Sequence, residues 1–83
     1  MPYIKQAQRQ LVQPLSGYEA STPGELNYQI TSLVVAYLDK RGISYTALNE
    51  VIGVLECAKL ELYRRAVAPY EDQKCEENGD VYV

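Results

Sequence analysis

The sequence contains no histidine, tryptophan or phenylalanine, and it has only two cysteines and one methionine. The missing histidine removes the commonest general base and the commonest metal ligand. Cys57 and Cys75 have no ligand-type cluster around them, so neither a metal nor any other cofactor is expected. No glycine-lysine phosphate loop occurs, and "EDQKCEENGD" lacks the alternating ligands and closing glutamate of a calcium loop. Glu56 with Lys59, or Glu61 with Arg65, could supply an acid and a cation, but most surface helices carry such pairs. Catalysis is therefore not expected. No run approaches the roughly 18 apolar residues of a membrane span, which argues against a membrane partner. With no secretory leader and only two cysteines, a reduced cytoplasmic setting is expected rather than a disulfide.

At 83 residues the chain is expected to be a single helical domain, 1–83, because smaller pieces could not bury a core. Even whole, a monomer of this length buries only about 60% of the surface its unfolded chain exposes. A homo-oligomer, dimer or higher, is accordingly expected. The net charge of -3 is unevenly placed: residues 1–68 hold seven basic and six acidic side chains, whereas 69–83 hold one and five. No basic stripe is present, so duplex nucleic acid is a poor partner, while a local cationic spot for a small anion stays open.

The pattern along the chain is that of an all-α protein. A short helix is expected around residues 5–13, ended by Pro14 and a turn at Ser16 and Gly17. "TPGE" reads as a capping box, with Thr22 as N-cap, Pro23 at the first helical position and Glu25 reaching back. The helix it opens, 23–41, carries Leu26, Ile30, Leu33, Val34, Tyr37 and Leu38 on one face and stops at Gly42. Ser44 or Thr46 starts a second long helix, with a stripe of Leu48, Val51, Ile52, Leu55, Leu62 and Ala66, and Pro69 is expected to end it near Ala68. The short link predicts an antiparallel hairpin whose two stripes meet directly. Gly53 in its interior suggests a close helix approach, or simple tolerance of a weak position. "PYEDQKC" could add a helical turn. "ENGD" reads as a turn before a docked or extended tail, "VYV", able to pair with "PYI".

The candidate site gathers around Arg64 and Arg65. Adjacent on a helix, they project about 100° apart. Ordinary pairing with Glu61 explains one or both of them. The sharper alternative is that one arginine pairs with Glu61 and the other offers its donor fork to a phosphate or a partner carboxylate. Eight tyrosines are the only aromatic residues. Tyr37 is assigned to the core, whereas Tyr28, Tyr63 and Tyr70 could line an interface or hold a ring. Asn27, one turn from Thr31, is a plausible reader of a base or ribose. The simpler account leaves the tyrosines to core and subunit contacts and the polar set to solvent. Tyr70 is also expected to anchor "APYED", with Glu71 and Asp72 approaching Arg64, Arg65 or a neighbouring subunit's cations.

"MPYIKQ", "TPGELNYQIT", "AYLDKRG", "LECAKLELYRR" and "APYEDQKCEENGDVY" together resemble a family of small uncharacterised proteins of tailed phages, prophages, bacteria and some archaea. The resemblance covers essentially the whole chain. It implies a phage-associated accessory protein in the host cell cytoplasm. Two functions follow as expectations: a non-enzymatic oligomeric sponge for a small nucleotide-type immune signal, or an inhibitor or adaptor that binds a host protein. In the first, Asn27, Tyr28, Tyr63, Arg64, Arg65 and Tyr70 form the ligand site.

Overall fold

The computed structural model describes residues 2–9 and 17–82, all of whose regular structure is helical. The elements are α1 (Gln6–Arg9), α2 (Pro23–Arg41), α3 (Tyr45–Leu62), a π-helical turn (Tyr63–Val67) and α4 (Ala68–Asn78). The expected extension of α1 through residues 10–13 and the turn at Ser16 lie outside the described residues. Two compact units are present, Tyr3–Ile52 and the chain from Gly53 onward, with the boundary inside α3.

In the first unit α2 begins where its capping chemistry places it. Thr22 is extended, and its hydroxyl accepts the Glu25 N–H at 3.1 Å. The return half of the box is displaced by one residue: the Glu25 carboxylate accepts the Ser21 N–H at 2.9 Å and the Ser21 hydroxyl at 3.1 Å. The helix closes at Gly42, whose φ of 88° is open to glycine without strain and whose N–H donates to the Leu38 carbonyl. Ser44, rather than Thr46, caps α3, its hydroxyl accepting the Ala47 N–H at 3.1 Å.

Glu50 latches α2 to the opening turns of α3 across this short link. Arg41 donates to its carboxylate through Nε at 3.1 Å and NH2 at 2.9 Å, and the Tyr37 hydroxyl donates to it at 3.0 Å. Tyr37 is therefore a correction to its expected core role. Its ring is exposed because its hydroxyl finds a partner in a solvent-facing carboxylate. The buried apolar side chains among the described residues are Ala47 and Val51. Leu26, Ile30, Leu33 and Leu48 are exposed, and Val34 and Leu38 are half-buried, so the stripes are not sealed against each other as expected.

In the second unit the helix does not stop at Ala68. In a regular α-helix Pro69 would leave the Arg65 carbonyl without its donor and drive its ring into that oxygen. The chain instead widens to a π-turn, and the Ala68 N–H donates to the Tyr63 carbonyl five residues back. Pro69 then falls at the start of α4, where a missing N–H is tolerated. The helix continues to Gly79, whose φ is 91° and whose N–H closes on the Cys75 carbonyl at 2.8 Å. The helical turn that "PYEDQKC" could add is thus a full helix that runs on to Asn78. Beyond it, Val81 and Tyr82 are exposed, and no strand is found among the described residues. Among the described residues nothing lies within 4 Å of the place a Gly53 Cβ would take.

Candidate functional site

The six residues expected to share a ligand are divided between the two units. Asn27 and Tyr28 stand on the first turns of α2, in the first unit. Tyr63, Arg64 and Arg65 form the π-turn, and Tyr70 the start of α4, in the second.

On α2, the Asn27 amide oxygen accepts the Thr31 hydroxyl at 3.1 Å, a pairing of neighbours one helical turn apart on an exposed face. Tyr28 is 74% exposed. Beside them the segment 17–20 is tied back onto the helix: Gln29 Nε2 donates to the Tyr18 carbonyl at 3.0 Å, and the Tyr18 hydroxyl donates to Glu25 at 3.1 Å. An open groove results, with Tyr18, Ala20, Leu26, Ile30 and Leu33 in its lining. It is mainly apolar, and among the described residues no cation suited to a phosphate lines it. The polar groups at its rim hold Glu25 below the usual carboxylate range, first through the Ser21 N–H and hydroxyl and then through the Tyr18 hydroxyl.

Around the π-turn the two arginines differ. Arg64 NH2 donates to the Glu61 carboxylate one turn earlier. Arg65 has no ionic partner among the described residues. The Arg64–Glu61 pair is the helix ion pairing that the spacing allowed for either arginine. The widened turn was not foreseen, although a proline four residues after an arginine inside a helical pattern was its signal. A π-turn takes up more residues per turn than an α-turn, so side chains before and after it fall out of the α-helical phase.

Tyr70 is exposed rather than anchored, and the Lys74 ammonium lies 5.6 Å from its ring centroid. That cation occupies one face of the ring, leaving a stacking ligand the other. Lys74 is itself paired with Glu77 at 3.4 Å. Neither Glu71 nor Asp72 pairs with Arg64 or Arg65 among the described residues, so the expected approach of these carboxylates to the arginines of their own chain is not found. The helix provides the reason, because it carries these carboxylates along its own surface instead of folding them back.

The remaining chemistry is structural in character. Glu50 is held below the ordinary carboxylate range, chiefly by the Arg41 hydrogen bonds and then by the Tyr37 hydroxyl, and Arg41 is pushed up by the same contacts. Both shifted carboxylates move away from the neutral range in which a general acid or base works best. Both cysteines are free, Cys57 exposed and Cys75 half-buried. No group of three or more histidine, cysteine, aspartate or glutamate residues able to hold a metal ion is found among the described residues. No helix there is long and apolar enough to cross a membrane.

The chain belongs to the family described as domain of unknown function DUF6899, whose model matches residues 1–81. No curated protein and no solved structure matches it. The family unit thus takes in both compact units, and its description assigns no activity to either.

Proposed function

We propose that this protein is a non-enzymatic binding protein that acts through the apolar faces of its helices. The observation that carries the reading is how little those faces cover for themselves. Leu26, Ile30 and Leu33 on α2, and Leu60, Leu62 and Tyr63 in the second unit, are all exposed, while the buried apolar side chains among the described residues are Ala47 and Val51. Exposed apolar surface on this scale marks an interaction site. In the setting that the resemblance implies, a phage accessory factor, such a protein would work by occupying another polypeptide.

A second reading, the nucleotide sponge, is favoured by Arg65. Its exposed guanidinium, with no ionic partner among the described residues and with tyrosines at 63 and 70 in the same unit, suits a phosphate carried by a stackable base. Native mass spectrometry of gently purified protein tests both readings. A complex made only of polypeptide supports the first. A retained nucleotide that disappears in Arg65→Ala supports the second. A bare 9.4 kDa species that also fails to bind a hydrophobic dye would overturn both.

A further inference from the structure

We infer that Asn78 is a site of spontaneous deamidation, and that the cap closing α4 sets its rate. The chain has three asparagines, at 27, 49 and 78, and Asn78 alone precedes a glycine. A glycine has no Cβ to obstruct its backbone nitrogen, and that nitrogen is the nucleophile in this reaction. Having lost its proton to solvent base, it attacks the Asn78 side-chain carbonyl carbon. The new C–N bond closes a succinimide ring, the bond from that carbon to Nδ2 breaks, and ammonia leaves after taking up a proton. Water then opens the ring, its hydroxyl going to one of the two carbonyl carbons and its hydrogen to the ring nitrogen. Opening at the side-chain carbon leaves aspartate, and opening at the backbone carbon leaves isoaspartate.

The local structure controls the first step. Asn78 is the last residue of α4, Gly79 stands outside it at a φ of 91°, and both are exposed. The Gly79 N–H donates to the Cys75 carbonyl at 2.8 Å, so in the closed cap the nitrogen keeps its proton and is fixed in the last turn. Terminal helix turns open at little cost, and the attack proceeds through the opened cap. Asn27 and Asn49 lack that freedom. They lie inside α2 and α3, each followed by a residue with a side chain, Tyr28 or Glu50. The Asn27 amide oxygen is also engaged by the Thr31 hydroxyl.

The product does not rebuild the same helix end. Either form puts a carboxylate at position 78, where Glu76, Glu77 and Asp80 already stand and where the helix dipole is negative. Isoaspartate also adds a methylene to the main chain, which breaks the regular hydrogen-bond ladder. The turn affected carries Glu77, which pairs with Lys74 at 3.4 Å and accepts the Gln73 amide at 3.2 Å. Conversion thus loosens the turn that restrains it, and the change in α4 runs one way.

The test incubates the intact chain in mildly alkaline buffer, with and without unfolding concentrations of urea, and follows amide-to-acid conversion by peptide mass spectrometry. Asn78 should convert before Asn27 and Asn49. Without urea it should react about two- to tenfold more slowly than with it, the retardation that one net backbone hydrogen bond supplies. Gly79→Ala should slow the reaction in urea as well, where folding plays no part, because its Cβ obstructs the nitrogen. Amides of 75–79 should exchange faster in the converted chain than in the unreacted one. Earlier conversion at Asn27 or Asn49, or an intact Asn78 once the urea sample has fully reacted, would overturn the site. Equal rates with and without urea would remove the cap from control of the reaction. Unchanged exchange after conversion would overturn the loosening of α4.

Discussion

Pro69→Ala is the substitution that separates cause from coincidence at the π-turn. Proline in an uninterrupted helix interior is less favourable than alanine by about 3 kcal/mol, through a lost hydrogen bond and a steric clash. Here the wide turn already relieves part of the clash, but Pro69 still returns no N–H to any carbonyl of the preceding turn. A single backbone hydrogen bond contributes about 0.5–1.5 kcal/mol net, so the variant should gain between about 1 and 3 kcal/mol. For a domain of this size that corresponds to a rise in melting temperature of at least about 4 °C. The structural consequence is larger than the energetic one. If the turn collapses to regular α geometry, one residue is removed from the phase, and α4 rotates by about 100° relative to the helix before it. Tyr70 and Lys74 then move around the axis relative to Glu61 and Arg64. Nuclear magnetic resonance of residues 60–75 reads this directly, from the chemical shifts and the spacing of medium-range contacts. A variant that keeps the Ala68 N–H on the Tyr63 carbonyl would refute the reasoning, because the turn would then be held by something other than the proline.

Thr22→Ala removes the acceptor for the Glu25 N–H and should destabilise the protein by about 1 kcal/mol, seen as a lower chemical-denaturation midpoint with an unchanged slope. Glu25 and Glu50 both have lowered pKa values in the folded state, so the stability they contribute is complete above the unfolded value of 4.5 and is lost as pH falls through the folded values. Melts taken from pH 7 down to pH 3 should therefore decline below about pH 5, and Glu50→Gln should flatten the decline; an identical slope in that variant would remove Glu50 from the account. Arg65→Ala should leave stability within about 0.5 kcal/mol of wild type, because no ionic partner is lost. A larger loss measured by calorimetry would show that Arg65 is structural.

Much of the local structure was legible in the order of residues. Thr22, Pro23 and Glu25 locate the start of α2 because capping is decided within one helical turn, and Gly42 and Gly79 end their helices because a positive φ costs glycine little. A helix ion pair at Glu61 was also readable, since Glu61 lies one turn before both arginines, but not that Arg64 would be the one to make it. Where α3 ends was not. A proline signals either a stop or a deformation, and the choice depends on whether the preceding turn can widen, which residue type alone does not say. Tyr37 and Glu50 are 13 positions apart, and only the turn of the chain at 42–44 brings the phenol to the carboxylate. The apolar stripes themselves follow from periodicity. Which of their members are buried is a matter of what stands opposite, and that left Ala47 and Val51 inside while Leu26, Ile30 and Leu33 stayed exposed. Periodicity identifies a face that must be covered; only tertiary structure shows which of its members the described residues bury.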